Sequence, residues 1–452
     1  NAHDGRVALD PDGPGGTAAS VISYTGLEPV TSSITSDVVE LLYTGAGETI
    51  TVTDAGGGQT TVASTLGETT TFENPTQRLE VAATNGTDVV NINSLASGYG
   101  SLVVRGDDVT DVVNFNGPLT FAADHGLTVA DVGTVNLPNT ASDIAASGTG
   151  AVSITAWKTI VLASESSITA VDGDITLSAN QQEPPTTGEW YAGISLAGAT
   201  VSTTGSGSIC LAGRGPTLGQ NNYGVAVRQG SMVSSGATGT VTVQGIGGAG
   251  TNHNHGVMVL DSGSRITSAG GDVHVFGQGG DSSGYNNYGV FVSSGEIASG
   301  GSGAVTVQGT GGNGTNGNTG VLVFSSGSRI TSAGGNVLVT GHGGNASGIN
   351  NRGVYVTGGE IRGGGDGSVT VQGTGGVGTD GNCGVSLNGG QITSGGGNVG
   401  VTGQGGEASG LENNGVYVYF GTITSGGNGS VTVEGTGGGG TAHRTARPWK
   451  GA

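Results

Sequence analysis

The sequence predicts an all-β chain, a right-handed parallel β-helix (β-solenoid) with three short strands in each turn of ~32 residues. Three observations predict it. A Gly-Val-x-Val motif recurs from Gly193 onward, anchored at Gly193, Gly224, Gly256, Gly289, Gly320, Gly353, Gly384 and Gly415, a near-constant period of about 32 residues. Inside each unit, apolar residues alternate with polar ones at the two-residue period of a strand. Finally, 97 of 452 residues are Gly and only 10% are charged, yet there is no Gly-X-Y register, so collagen is excluded.

Each unit reads in order as strand, strand, strand, loop. The first strand supplies Val225, Val257, Val290, Val321, Val354, Val385 and Val416, with a second apolar residue two positions on. The second strand supplies Val233, Ile266, Ile297, Ile330, Ile361, Ile392 and Ile423; the third supplies pairs such as Val241/Val243 and Val305/Val307. Residues two apart share a strand face, so these columns look into one interior, which a single unit cannot bury alone. Stacking can bury it, with each strand pairing in parallel to its counterpart one repeat away. Ser-Gly-Gly and Ala-Gly-Gly fit tight corners, where Gly takes positive φ freely. Two turns per unit would leave the Gly-rich connector after Gly309 with nothing to face a core, so one turn with a long loop at one edge is preferred.

Along the chain, residues 1–20 read as a flexible lead-in. Residues 21–130 are β-patterned on a shorter period: Asp88-Val-Val-Asn-Ile-Asn returns as Asp111-Val-Val-Asn-Phe-Asn, about 23 residues later. They are expected to be smaller turns of the same solenoid or, alternatively, a separate cap. The regular helix covers 131–440, interrupted by an elaborated loop at Gln181-Gln-Glu-Pro-Pro. Residues 441–452 leave the repeat and form a basic tail with His443, Arg444, Arg447, Trp449 and Lys450.

With 33 acidic residues against 13 Lys+Arg, the formal charge is −20. That balance disfavours nucleic acid, whose phosphates need a basic face. No apolar run is long enough to span a bilayer. The first residue is Asn1, with no basic and apolar leader behind it, so any signal peptide is expected to have been removed already. Cys210 and Cys383 lie about five and a half repeats apart, on the order of 25 Å, too far for a disulfide, and both are expected to be free.

Several polar columns are candidates for chemistry. Asn222, Asn254, Asn287, Asn318, Asn351, Asn382 and Asn413 each stand two residues before an anchoring Gly. They read as an asparagine ladder in which each amide donates to the next turn's carbonyl, at a corner where Asn tolerates a left-handed backbone; a polar binding stripe is the other reading. Units entered through Asn221, Asn286 and Asn350 alternate with units entered through His253, Gly317 and Gly381. This double repeat records a duplication, or sets a distinct loop on one edge every ~9.6 Å. Asp107, Asp108 and Asp111 sit beside a turn like the carboxylates of calcium-binding β-rolls, the one cofactor considered. The Arg105-Gly-Asp tripeptide reads as a surface turn. His253 and His255 have no carboxylate nearby in sequence and read as a surface loop. Acidic residues such as Asp272, Glu296, Glu360, Asp366, Glu407 and Glu434 are expected to occupy different slots, and no Gly-x-Ser-x-Gly elbow is present, so no enzyme is read. Asn85, Asn313, Asn345 and Asn428 begin glycosylation sequons, which arise by chance in such a composition.

The repeated unit Gly-Val-x-Val … Ile-x-Ser … Val-x-Val-x-Gly-x-Gly-Gly resembles the Gly-rich repeat regions of very large exported bacterial surface proteins, of the filamentous-haemagglutinin and autotransporter-passenger type. Val161-Leu-Ala-Ser, Ile175-Thr-Leu-Ser-Ala-Asn-Gln-Gln and the Asp-Val-Val-Asn pair resemble segments that precede such repeats. The likeness covers roughly residues 75–440 and implies export to the cell surface as an adhesin, matrix component or fibre. The resulting expectation is an extracellular structural rod that stacks head to tail with copies of itself, through an end carrying Val431, Val433 and Trp449. An adhesin or glycan-binding module using the loop edge is the alternative, and a polysaccharide-degrading β-helix ranks third.

Overall fold

Val, Ile and Thr branch at Cβ and lose least freedom in a pleated strand, so a segment such as Val-Thr-Val-Gln-Gly extends readily. The computed structural model, which describes residues 4–9, 20–25, 29–189, 191–407 and 410–439, contains 41 strands and no helix among those residues. In the regular zone each strand lies in parallel on its counterpart in the next repeat. Val225 pairs with Val257 in the first strand, Val233 with Ile266 in the second, and Val241 with Val273 in the third. The same registers recur up to Val416–Tyr419, Thr422–Ser425 and Val431–Thr436. Three parallel columns result, termed here sheets I, II and III after the first, second and third strands.

The inward residues of these columns, from Ile194 to Val401, are at most 1% exposed. They belong to one apolar core that runs without a break from Val39 to Val401. Residues 38–130 share that core and the same ladders. Val89–Ile92 pairs in parallel with Val112–Phe115, its counterpart one short repeat on, and Ser101–Arg105 pairs with Leu127–Leu137. Two long strands, Leu127–Leu137 and Val152–Leu162, each serve sheet III with their first half and sheet I with their second. No loop separates the two sheets there. Past Ala179 that corner opens, and the Gly/Asn-rich loops of the regular repeats are inserted at it.

Two glycine columns make the corner possible by close approach rather than by unusual φ. A Cβ on the last-but-one residue of the third strand (Gly245, Gly277, Gly309) would fall 2.1 Å from the carbonyl oxygen of the next anchoring Gly (Gly256, Gly289, Gly320). The two backbones therefore touch where any side chain would separate them. At the opposite corner the Ser of Ile-x-Ser turns inward: Ser235 and Ser299 donate to the carbonyls of Gly239 and Gly303 at 2.5 Å.

At the N-terminal side, antiparallel strands extend sheets I and III. Asp4–Leu9, expected to be part of a flexible lead-in, instead pairs antiparallel with Val38–Tyr43, the first parallel strand of sheet III, and with Ser20–Thr25. In sheet I, Thr49–Gly56 is covered by Gln59–Ser64, followed by Thr70–Glu73 and then Val30–Ser32. A bare strand edge carries unpaired N–H and C=O groups, which gives these segments their reason to fold back.

Truncating a core column should cost far more than truncating its outward neighbour. Ile330→Ala is expected to lose about 2–5 kcal/mol and Thr331→Ala less than about 0.5 kcal/mol, measured by urea unfolding followed by circular dichroism.

Candidate functional site

The polar columns cluster where the loop returns to sheet I. The residue just before each ladder asparagine has a left-handed backbone: Asn221 (φ 59), His253 (56), Asn286 (58), Gly317 (67), Asn350 (62), Gly381 (67) and Glu412 (61). The left-handed slot is thus one residue earlier than expected, and it is the slot in which the double repeat alternates. Only Gly, or a residue that accepts the αL cost, fits there.

The ladder asparagines follow, and those from Asn222 to Asn382 are 0% exposed. The expected amide donation is present, as Asn222 Nδ2 donates to the Ala249 carbonyl of the next turn at 2.9 Å, and a second bond accompanies it. The side-chain oxygen accepts, so that the backbone N–H of Asn287 donates to Asn318 Oδ1 at 3.0 Å and that of Asn318 donates to Asn351 Oδ1 at 3.0 Å. The bond repeats from Asn222 to Asn254, Asn254 to Asn287, Asn351 to Asn382 and Asn382 to Asn413, at 2.9–3.1 Å. The amide nitrogens either continue up the column, as Asn382 Nδ2 does to Asn413 Oδ1 at 3.1 Å, or hold loop carbonyls, as Asn413 Nδ2 holds Thr379. Asn254 Nδ2 is buried without a partner. A second ladder, Asn91–Asn114–Asn136, links the earlier turns at 2.9–3.0 Å; its signal was the repeated Asp-Val-Val-Asn.

Behind the ladder the loops fold over the outer face of sheet I and bury it. Ala226, Met258 and Leu322, on outward positions, are 1%, 3% and 5% exposed. His255, read as a surface residue, lies stacked between Tyr223 and Tyr288, with ring centroids 5.4 and 4.7 Å away. The backbone N–H of Tyr288 donates to its Nδ1 at 3.3 Å. Burial, with His253 nearby, pushes the His255 pKa down to about 3. Tyr223, His255 and Tyr288 each directly follow a ladder Asn, a signal that was legible but unread. Along the rim of these loops Tyr285, Ile349 and Leu411 stand 45%, 41% and 50% exposed, one in every second turn.

Asp107, Asp108 and Asp111 do not converge on a cation. Asp111 points inward at 2% exposure and accepts the backbone N–H groups of Asp88, Asp107 and Asp108, each at 2.9 Å. Asp107 accepts from the N–H of Asn85, and Asp108 is occupied by Thr110. Asp88 in turn accepts from the N–H of Glu48 at 2.7 Å, so Glu48, Asp88 and Asp111 form an acidic counterpart of the asparagine ladder. Burial pushes the Asp88 carboxyl above its ordinary range, with repulsion from Asp111 and Glu48 adding. Among the described residues no group of three or more His, Cys, Asp or Glu side chains is placed to hold a metal.

On sheet II the charged residues are ordered. The outward slot before the core Ile reads Arg265, Glu296, Arg329 and Glu360 on four consecutive turns, in direct register. Glu296 and Glu360 therefore share one column, against the expectation of unrelated slots. Cys210 and Cys383 are both free. Val431 and Val433, on the last described strand, are 37% and 47% exposed, while Trp449 lies outside the described residues. No helix among the described residues is long and apolar enough to cross a membrane.

No protein-family model, curated protein or solved structure matches this chain.

Two measurements test the polar interior. Asn318→Ala strands the buried N–H of Asn287 and should cost about 1–3 kcal/mol, with faster hydrogen exchange at the Asn287 amide. His255 is held neutral by the fold, so its contribution is complete above pH 6.5 and is lost as pH falls from 6.5 toward about 3. Thermal stability of the wild type should drop through that window more steeply than that of His255→Phe.

Proposed function

We propose that the chain is an exported structural rod, a right-handed parallel β-helix with three-strand turns of ~32 residues, which acts outside the cell by joining end to end into a fibre or matrix. Right-handed crossover is the rule for parallel strands. The reading is supported foremost by the stacking itself, in which each turn's core columns are covered by the next turn in the same register. Val399 and Val401 are 1% exposed, whereas Val431 and Val433, one turn on in the same columns, are 37% and 47% exposed. Tyr417, Val418, Tyr419 and Phe420 are exposed beside them. This face offers apolar side chains and strand edges of one sense.

The opposite end supplies edges of matching sense. Ser20–Thr25 is antiparallel to a strand that is itself antiparallel to sheet III, so it runs with sheet III. Val30–Ser32 lies parallel to Thr70–Glu73, which two antiparallel pairings relate to sheet I, so it runs with sheet I. Head-to-tail contact of this heterologous kind generates an open filament. The Gly-rich repeat, its likeness to surface-protein repeats and the acidic balance favour a soluble exported setting.

The second reading is a glycan-binding or adhesive module, favoured by the exposed row Tyr285, Ile349 and Leu411. At one residue per two turns the row repeats every ~9.6 Å, a spacing suited to an extended polymer.

Negative-stain electron microscopy across a concentration series distinguishes the two. Filaments with an axial repeat of one rod are expected from the wild type, and their loss in Val431→Lys/Val433→Lys. Short separate rods at every concentration would overturn the fibre reading and direct attention to polysaccharide binding by the loop edge.

A further inference from the structure

The outer face of sheet II is small-residued and carries one ordered column of charge. Thr267, Ala298, Thr331 and Thr393 occupy its other outward slot and keep the surface low, with Arg362 the one long side chain among them. The column Arg265, Glu296, Arg329, Glu360 alternates in sign at one strand spacing, ~4.8 Å. The chain itself uses only half of it. Arg329 Nε lies 3.8 Å from Glu360, which also meets Arg362 at 4.0 Å. Neither Arg265 nor Glu296 has an ion-pair partner within 4.0 Å among the described residues.

We propose that sheet II is a lateral docking face for a second copy of this chain, lying antiparallel across a two-fold axis between Glu296 and Arg329. The sequence of signs selects this arrangement. Reversed end for end, plus-minus-plus-minus becomes its own complement, so Arg265 meets Glu360 of the other copy and Glu296 meets its Arg329, each contact made twice. Two rods side by side in the same sense and in register would set Arg on Arg and Glu on Glu, which the column penalises. The interface is isologous and closes at two copies.

The surrounding surface fits that geometry. About the same axis, Arg362 faces the small Thr267, Met232–Ser235 faces Gln391–Ser394, and Thr200–Thr203 faces Thr422–Ser425, the last four segments all without charge. Eight strands overlap over an area about 38 Å by 13 Å, roughly 500 Å² per copy. A total of about 1000 Å² is at the lower end for specific association, so the dimer is weak and reversible. The four column charges sum to zero and Arg362 adds one positive charge, so this strip is free of the excess negative charge that repels copies elsewhere on a chain of net charge −20. The inference is separate from end-on joining, because it concerns the side of the rod; together the two contacts would bundle fibres in pairs.

Sedimentation velocity at ~50 mM salt, in the Val431→Lys/Val433→Lys background that blocks end-on growth, tests the face. A concentration-dependent monomer–dimer equilibrium is expected, at least tenfold weaker in 0.5 M salt, where screening is strong. Glu296→Arg alone and Arg329→Glu alone should each weaken dimerisation at least tenfold, because each sets like charges opposite one another twice. An equimolar mixture of the two variants should dimerise again. The double exchange Glu296→Arg/Arg329→Glu should also restore it, although it places like charges side by side within each chain. Circular dichroism of each charge variant should match that of its Val431→Lys/Val433→Lys parent, since side chains 296 and 329 point outward. A strict monomer up to ~1 mM, single variants that dimerise like the wild type, or a mixture that stays monomeric would each overturn the proposal.

Discussion

Parallel stacking in strict register is the constraint on which the rest of the molecule depends. Once Val225 lies over Val257 and Val257 over Val290, every side chain meets its own counterpart one strand spacing away. A column must then be made of residues that tolerate themselves as neighbours. Val and Ile do so by packing, Asn by hydrogen bonding, and Gly by leaving room for backbone. A charge does not, unless the sign alternates, as in Arg265, Glu296, Arg329 and Glu360. The buried acidic column of Glu48, Asp88 and Asp111 is tolerated because backbone N–H groups meet its carboxylates.

The same constraint explains why the polar interior is organised as ladders. At the loop return, the chain must bury a backbone N–H away from any sheet partner, once per turn. An Asn side chain from the next turn supplies the acceptor, and the left-handed residue before it sets the direction of the chain. In the shorter turns upstream Asp performs the equivalent task. The two columns differ in chemistry: a carboxylate can only accept, whereas an amide also donates to the loop carbonyls it must hold.

Loops inserted at that corner change the character of the rod. They fold over sheet I and convert its outer face into a second, minor core around Met258, His255 and the flanking tyrosines. Sheet II keeps small side chains in one outward slot, as at Thr267, Ala298 and Thr331. Sheet III displays Thr and Gln, as on Val305–Thr310. One side of the rod is thereby padded, one is polar and one carries ordered charge, and each offers a different kind of contact to its surroundings. Antiparallel strands extend two of the columns at the N-terminal side, and the last described strand leaves Val431 and Val433 exposed.

Period, strand order and core columns were all legible from residue spacing, because in a stack of near-identical units the repeat distance in sequence is the register in space. The inward Val and Ile positions could be named from alternation alone. The asparagine column and its amide donation were visible for the same reason, yet the backbone N–H that each Oδ1 accepts was not, since spacing carries no information on every atom that meets the next turn. Asp107, Asp108 and Asp111 looked like a cation loop in one dimension; the fold turns Asp111 inward to cap three amides. His255 looked exposed because alternation assigns only the two faces of a strand, and whether a loop lies over the outer face is settled by its path. The antiparallel pairing of Asp4–Leu9 is likewise a tertiary outcome, whereas the charge column was legible, since each of its four members directly precedes a core Ile of the second strand. Sequence by itself determined what repeats, since repetition is local chemistry; the fold decided what the non-repeating parts cover, since covering depends on where distant segments meet.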